Sequence, residues 1–345
     1  MWSTISVVKP GGVTVDDLCT LVSTCLSRSR MAPLKVIFWA DSDPAQSRLL
    51  PALRILCAHS SRWLAAMFVV NTPEVHECLA TIENAPALER TSLLFQDSQI
   101  DSAELQFPRF APNLKYCYVT GNKNQQVSMN QLRLFRSDTD SPGEHCDLTN
   151  VLSHLSHIED MEMKYNQYDT IRITNAPIVL PHLEALTLEC DQEIQGLQYL
   201  TLPKLEMLSL QSRSLLDKLP THDIALMLEN SRCPLITLCC TSRTFDTEEL
   251  HRVLLAVPTL QDFDLQVRDL DTEGRDMFEI LTCRENTKVV VPLLEQFKVS
   301  ILNMGLGAFG CRKVYDKMVR SRTEYCRERG QGEFEAELEI GMGSM

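Results

Sequence analysis

Apolar residues recur along the chain in the spacing LxxLxL, in which the first, fourth and sixth positions are leucine or another apolar residue. The two clearest copies are LPHLEALTL, with Leu183, Leu186 and Leu188, and LPKLEMLSL, with Leu205, Leu208 and Leu210. Further copies start at Leu34, Trp63, Leu88, Leu114, Met129, Ile158, Leu235, Leu260 and Leu294. The apolar and polar alternation at the end of each copy predicts a short β-strand with one buried face.

Segments with helical spacing separate these strands. The apolar stripes recur three and four residues apart, as in Leu148, Val151, Leu152, Leu155 and in Leu250, Val253, Leu254, Val257. A strand and a helix in each unit make the strands parallel, because the helix returns the chain to the same end of the sheet. The eleven starts run from residue 34 to 294 in ten steps, a mean of 260/10 = 26 residues. Leucine-rich repeats have periods of ~20–29 residues.

We therefore predict an α/β fold. It is an irregular leucine-rich-repeat-like solenoid with parallel strands on the concave face, helices on the convex face and helical caps. Neighbouring parallel strands are expected near Leu186, Leu208, Leu238 and Phe263.

The same patterns predict three regions. Residues 1–32 form an N-terminal capping segment, with a helix that begins after an N-cap at Asp16 or Asp17. Residues 33–302 form the irregular solenoid. Residues 303–345 form a capping helix, which covers the edge of the last strand, and a frayed tail in which residues 334–340 alternate like a strand.

Charge and cysteine usage narrow the classes of partner. The chain has 33 Lys and Arg against 46 Asp and Glu, a net charge of −13, so phosphate backbones and anionic membranes are expected to be repelled. The 13 cysteines are an odd number and form no CxxC pair, which favours a reducing compartment. The N-terminus lacks the layout of a signal peptide, and no apolar run approaches the ~20 residues that cross a bilayer. We expect a cytoplasmic or nuclear protein that binds neither nucleic acid nor membrane.

Several segments resemble the F-box/leucine-rich-repeat-like proteins of mushroom-forming fungi. MWSTI is similar to the segment that follows the F-box in that family, and CLSRSR, PLKVIFW, LCAHSSRW, APNLKYCYV and VSMNQLRLF follow in the family's order. The resemblance extends from Trp2 to about Arg322. It implies a receptor that recruits a protein substrate to a ubiquitin ligase.

The departure from that family concerns the F-box itself. In the family this helical module precedes the MWSTI-like segment and docks on the Skp adaptor of a cullin ligase. Here the similarity begins at the start of the sequence, so a Skp-type adaptor is expected as a partner only if an upstream F-box exists.

One motif offers an enzymatic alternative. GLGAFG places Gly305, Gly307 and Gly310 in the GxGxxG spacing of dinucleotide-binding turns, between an apolar strand and a helix. The strand predicted next carries Glu at every other position, whereas a strand of such a domain is buried on both faces. His154 and His157 have a spacing that could hold a metal, but no third ligand stands at a helical offset. We predict no enzyme activity, no metal and no cofactor.

Binding is expected on the concave face, which the third, fifth and seventh positions of each unit line. These positions predict an aromatic and arginine patch made of Arg90, Tyr116, Tyr118, Arg133 and Phe135. They also predict an acidic stretch that includes Asp160, Glu162 and Glu189. Tyrosine and arginine are enriched at interface hot spots, so the first patch is the candidate anchor for an unknown protein partner. The alternative is an ordinary exposed sheet face, since a one-residue error of register exchanges the two faces.

Overall fold

The computed structural model divides the chain into two compact units, Met1–Ser141 and Pro142–Met345. The structure describes residues 4–8, 13–39, 49–70, 72–82, 84–95, 111–120, 131–139, 146–165, 171–174, 176–190, 194–211, 216–269, 272–284, 289–303 and 308–340. Both units combine helices with parallel strands, so the predicted α/β class is confirmed.

The first unit contains six strands in one parallel sheet, in the order of the chain. Its strands are β1 (Thr4–Val8), β2 (Leu34–Trp39), β3 (Trp63–Val70), β4 (Arg90–Phe95), β5 (Tyr116–Thr120) and β6 (Leu134–Thr139). Its helices are α1 (Val15–Ser29), α2 (Leu50–Cys57) and α3 (Pro73–Ala80). The strand β1, which pairs with β2, was not predicted. The N-cap of α1 is Thr14, whose hydroxyl accepts from the Asp17 amide, and the predicted N-cap at Asp16 or Asp17 is therefore wrong by two or three residues.

The second unit contains a seven-strand parallel path, β8–β11–β14–β16–β17–β18–β19, with β15 also paired to β16. Its strands are β7 (Cys146–Asp147), β8 (Asp160–Tyr165), β9 (Ile171–Arg172), β10 (Ile178–Val179), β11 (Ala185–Glu189), β12 (Ile194–Gln195), β13 (Leu200–Thr201), β14 (Met207–Gln211), β15 (Leu216–Lys218), β16 (Thr237–Thr244), β17 (Asp262–Asp269), β18 (Gln296–Asn303) and β19 (Glu335–Ile340). Its helices are α4 (Leu148–Ser153), α5 (Thr221–Ser231), α6 (Thr247–Ala256), α7 (Thr272–Leu281) and α8 (Ala308–Arg329). The remaining short strands form two small sheets, β10–β13 and β12–β9–β7.

Equivalent apolar residues of successive units stand side by side in the second sheet. Leu186 of β11 pairs with Leu208 of β14, Leu208 with Leu238 of β16, and Leu238 with Phe263 of β17. The next pair, Phe263 and Phe297, brings the two rings to a centroid distance of 5.5 Å. All of these side chains are buried. The expected neighbouring parallel strands at the first four positions are confirmed.

A turn and a forked hydrogen bond recur where the chain enters these strands. The first leucine of a unit donates its amide to the carbonyl three residues earlier, as Leu183 does to Leu180 and Leu205 to Leu202. The residue directly before the strand then accepts two amides of the following unit. Glu184, for example, accepts from Glu206 at 2.8 Å and Met207 at 2.9 Å. The carbonyls that act in this way are those of Glu89, Lys115, Glu159, Glu184, Glu206, Ile236 and Gln261.

The C-terminal region corrects the prediction of a frayed tail. Glu335–Ile340 forms β19, which pairs in parallel with β18 along its length, and α8 connects the two strands while packing on α7. The helix therefore does not cover the edge of β18, because β19 occupies that edge. Alternation in residues 334–340 indicates this strand. Its other face carries an exposed glutamate at every second position, and this polar face favoured the prediction of a tail.

A buried arginine ties α8 to the turn before β18. Arg322 is 1% exposed, and its guanidinium donates to the carbonyls of Leu281 at 2.8 Å, Val291 at 2.8 Å and Val290 at 2.6 Å. Val291 has a φ of +44°, which is costly for a β-branched residue. The guanidinium fork therefore supports a strained turn. Among the described residues, no helix is both long and apolar enough to cross a membrane.

Truncation of the leucine ladder should destabilise the protein. Leu208 is 0% exposed between Leu186 and Leu238, so Leu208→Ala leaves a cavity and should lower the free energy of unfolding by about 2–5 kcal/mol. Leu255→Ala on α6, where the side chain is 45% exposed, should change it by less than about 0.5 kcal/mol. Urea unfolding followed by circular dichroism measures both variants, and equal losses would contradict the buried ladder.

Loss of the Arg322 fork should be similarly severe. Arg322→Ala removes three buried hydrogen bonds, although the Val291 carbonyl keeps the amide of Leu294, and should lower the free energy of unfolding by about 3 kcal/mol or more. Arg322→Lys should rescue little, because one ammonium lacks the planar fork of the guanidinium. Arg320→Ala is the matched control, since its side chain is exposed on the same helix. A harmless Arg322→Ala would refute the structural role.

Candidate protein-binding surface

Each sheet has one buried face, and on the other face most side chains remain accessible, although Val69, Ser209, Thr241 and Ser300 on that face are buried. Along β5, for example, Cys117 and Val119 are buried, whereas Tyr116, Tyr118 and Thr120 are half-buried. The same alternation occurs along β8, where Met161 and Met163 are buried. We call the accessible side of each sheet its open face. This is the face on which the sequence predicts binding.

Three residues of the predicted aromatic and arginine patch, Arg90, Tyr116 and Tyr118, lie on the open face of the first unit, in adjacent strands. Arg90 of β4 pairs with Tyr116 of β5, and its guanidinium carbon lies 4.8 Å from the centre of the Tyr116 ring. Arg90 is exposed, and Tyr118 follows two residues later on the same face as Tyr116. Stacking of this kind holds the arginine extended along the sheet while leaving its charge available to a partner.

The predicted register is wrong at Phe135. This side chain is 4% exposed and pairs with the buried Cys117, so it belongs to the core, and the open face carries Leu134 and Arg136 beside it. Arg133 is exposed but precedes β6. The LxxLxL spacing predicts that this unit starts at Met129, which lies outside the described residues. The buried residues Leu132 and Phe135 have the LxxL spacing instead, and Leu134 was mistaken for a core position because it is apolar.

Apolar side chains extend this patch in a way that the sequence analysis missed. Ile37 of β2, Met67 of β3 and Leu94 of β4 are half-buried on the open face, and Trp39 is 40% exposed. The LxxLxL spacing from Leu34 predicts Ile37 and Trp39 as core positions, and this prediction is wrong. In β2 the buried residues are Leu34, Val36 and Phe38, which are two residues apart throughout. The pairing of β2 with β3 also shifts by one residue between Leu34 and Lys35. In LKVIFW only Lys35 marks the open face, because Ile37 and Trp39 on the same face are apolar.

The residues of the acidic stretch lie on the open face of the second unit. Asp160 and Glu162 of β8 are half-buried beside Ala185 and Thr187 of β11, and Glu189 follows on the same face. Lys164 lies between two of these carboxylates, with its Nζ 3.1 Å from Glu162 and 3.3 Å from Glu189. The hydrogen bond to Glu162 and the neighbouring charges raise the pKa of Lys164.

Carboxylates recur at the other end of this face. Asp262 and Asp264 of β17, together with Glu335, Glu337 and Glu339 of β19, lie on either side of β18. The Nζ of Lys298 on β18 is 3.4 Å from Glu337 and 3.3 Å from Glu339. Burial raises the pKa of Asp264; Lys298 opposes this shift, whereas Glu339 and Glu337 add to it. The lysine neutralises only part of the local negative charge.

The two units differ in charge. The first unit, residues 1–141, contains 13 Lys and Arg and 13 Asp and Glu, which leaves 20 and 33 for residues 142–345. The whole net charge of −13 therefore belongs to the second unit, because the charges of the first cancel. The aromatic and arginine patch of the first unit and the acidic stretch of the second unit therefore favour partner surfaces of different chemistry.

The described residues give little support to the dinucleotide-binding motif and to the metal-binding histidine pair. Gly305 and Gly307 lie outside the described residues, and Gly310 is in the first turn of α8. His157 stacks on the ring of His182 at a centroid distance of 5.8 Å. In the parts of the chain that the structure describes, no group of three or more His, Cys, Asp and Glu side chains could hold a metal ion.

Comparison with known proteins adds no relative to these observations. No protein-family model matches the chain, and no curated protein matches it either.

The half-buried Asp264 should make stability depend on pH. A carboxyl whose pKa is raised by folding costs stability when it is ionised, so the cost is present above the folded pKa and disappears as pH falls toward about 3.9. Asp264→Asn should therefore raise the melting temperature at pH 7, and the gain should vanish near pH 4. Thermal unfolding at both pH values measures the difference.

Glu339 is the control of opposite sign. The hydrogen bond from Ser300 and the charge of Lys298 lower the pKa of Glu339, so its contribution is present above about pH 4.3 and is lost as pH falls. Glu339→Gln should thus leave the melting temperature at pH 7 unchanged or lower it. A rise for Glu339→Gln together with a fall for Asp264→Asn would contradict the proposed electrostatics.

Proposed function

We propose that the chain is a leucine-rich-repeat-like solenoid that binds a protein partner on the open face of its sheets. In this proposal it acts as the substrate-recruiting part of an F-box-type ubiquitin-ligase receptor. The observation that carries the proposal is the alignment of LxxLxL units as parallel neighbours, with equivalent leucines side by side and the polar positions on one accessible face. Extended open faces of this kind are how solenoid proteins present a binding surface.

Two further observations support binding of a protein. The first unit offers half-buried aromatic and apolar side chains next to an exposed arginine, which is the composition of interface hot spots. The second unit offers two groups of carboxylates, and one lysine lies beside each group. A partner segment with apolar and acidic residues suits the first surface, and one with Lys or Arg suits the second.

The link to ubiquitination depends on the resemblance to F-box/leucine-rich-repeat-like proteins. Of its ordered landmarks, PLKVIFW ends in β2 and LCAHSSRW connects α2 to β3, which is the alternation of helix and strand that a repeat receptor needs. A receptor of this class would hold its substrate on the open face and would receive its ligase contact from an F-box. The dinucleotide-binding alternative at Gly305–Gly310 gains no support from the described residues.

Substitution on the open face should remove binding and spare the fold. Arg90→Ala with Tyr118→Ala changes two accessible side chains and should shift the melting temperature by only a few degrees. Loss of a hot spot costs ~2 kcal/mol or more of binding, which is about a 30-fold rise in Kd. Proximity labelling in cells should show one or more proteins that the wild type captures and the double variant does not, and a titration with the purified partner should give the Kd.

Two controls make this result specific. Leu255→Ala alters an exposed side chain of α6 and should leave the captured proteins unchanged, whereas Phe135→Ala should lower stability because that ring is buried. An identical set of captured proteins for the wild type and the double variant would contradict binding on the open face of the first unit.

The relation to the ligase has its own test. The polypeptide of residues 1–345 should fail to retain a Skp-type adaptor in a pull-down, because its similarity to the family covers only the part that follows the F-box. Fusion of an F-box to its N-terminus should produce retention, and the same fusion should ubiquitinate the captured partner. Strong adaptor binding by residues 1–345 alone would place the docking surface elsewhere and contradict the proposed division of roles.

A further inference from the structure

Two cysteines meet between neighbouring helices of the first unit. Cys57 is the last residue of α2, and Cys78 lies in the second turn of α3. Their sulfur atoms are 3.8 Å apart, at a sequence separation of 21 residues. Both are free thiols, 7% and 5% exposed. A disulfide has an S–S length of about 2.0 Å, so a modest rotation of each side chain could close the gap.

The surroundings make the two thiols unequal. The hydrogen bond from Cys57 lowers the pKa of Cys78, and Arg54, one turn before Cys57 on α2, acts in the same direction through its charge and a hydrogen bond; burial opposes both. The same contact and burial raise the pKa of Cys57. Cys78 is therefore suited to attack a peroxide as the thiolate, and Cys57 remains protonated beside it.

We propose that Cys57 and Cys78 form a redox-responsive pair, which a hydroperoxide converts into a disulfide that joins α2 to α3. This inference is independent of the function proposed above. The Cys78 thiolate attacks one oxygen of hydrogen peroxide, the O–O bond breaks, and Cys78 becomes a sulfenic acid as hydroxide leaves. The Cys57 sulfur then attacks the Cys78 sulfur, the S–O bond breaks, and a second water is released after protonation. In sum, two thiols are oxidised by two electrons and one peroxide is reduced to two waters.

Cys117, another buried cysteine of this unit, lies in a different environment from Cys57 and Cys78. Burial raises the pKa of Cys117 to about 12, and this residue lies in the core of β5 at 1% exposure. It should stay reduced under conditions in which Cys57 and Cys78 react. Cys117 is thus an internal reference in the same unit.

Peptide mapping tests the pair directly. The reduced full-length chain is freed of reductant, treated with increasing hydrogen peroxide, alkylated and digested with trypsin without reduction. Cleavage yields residues 55–62 and 63–90, which contain Cys57 and Cys78 as their only cysteines, and residues 116–123 with Cys117. We expect the first two peptides to appear joined and lighter by two hydrogens, while the third remains alkylated.

Variants separate the two steps. In Cys57→Ser the sulfenic acid of Cys78 should persist and be trapped by dimedone, and Arg54→Gln should slow its formation several-fold. Cys117→Ser should leave the joined peptides unchanged. In the wild type, the disulfide should raise the melting temperature by on the order of 5 °C, and Cys57→Ser should show no such rise.

Two results would overturn the inference. One is that Cys57 and Cys78 stay alkylated at peroxide doses that oxidise Cys117. The other is that Cys78 joins a different cysteine in the wild type. Neither result depends on whether a variant folds, because both are read from the native sequence.

Discussion

The parallel pairing of strands at a fixed register is the constraint on which the rest of this structure depends. At seven strand entries among the described residues, the carbonyl before one strand accepts two amides of the next unit, as Glu206 does from Ile236 at 2.8 Å and Thr237 at 2.9 Å. This fork determines which residues stand opposite one another. Because side chains alternate along a strand, it also determines which side chains are buried and which remain on the open face. The buried leucines then stabilise the register that the backbone selects.

The sequence predicted the second sheet more accurately than the first. From Leu186 to Phe263 the polar positions between the leucines are unambiguous, so period and register could both be read. In β6 an apolar residue at an open position, Leu134, moved the predicted start of the unit from Leu132 to Met129; this odd-numbered shift placed Phe135 on the wrong face. In β2 the apolar residues Ile37 and Trp39 occupy open positions and obscured the alternation that Lys35 marks. A one-residue slip exchanges all side chains of a strand, so small ambiguities had large consequences.

Other features depend on contacts between distant residues and had no signal in the sequence. The Arg322 fork joins α8 to carbonyls 31 to 41 residues earlier in the chain. Nothing in the sequence around Arg322 indicates that this arginine is buried. The Cys57–Cys78 contact joins two helices whose separation could not be read from spacing. The acidic side chains Asp160, Glu162 and Glu189 could be placed, since they alternate with buried methionines and leucines in regular strands.

The functional account follows from this division of the sheet into two faces. Leucines and phenylalanines stabilise the fold on one side, and the other side is left for residues that a partner could recognise. The first unit presents aromatic and apolar residues with arginine, and the second presents carboxylates and carries the net charge of the chain. A repeat protein can vary such a face without loss of the core, because the open positions contribute little to packing. This separation of roles is what makes a substrate receptor the proposed function.

The division of faces can be measured by hydroxyl-radical footprinting of the native chain, with each rate of modification divided by the rate in the denatured chain. Trp39 and Trp63 form a matched pair of one residue type, at 40% and 0% exposure. The account predicts that Trp39 and Tyr118 are modified at a substantial fraction of their denatured rates, while Trp63 and Phe135 are strongly protected. Phe135 modified as readily as Tyr118, or Trp63 as readily as Trp39, would contradict the assignment of the two faces.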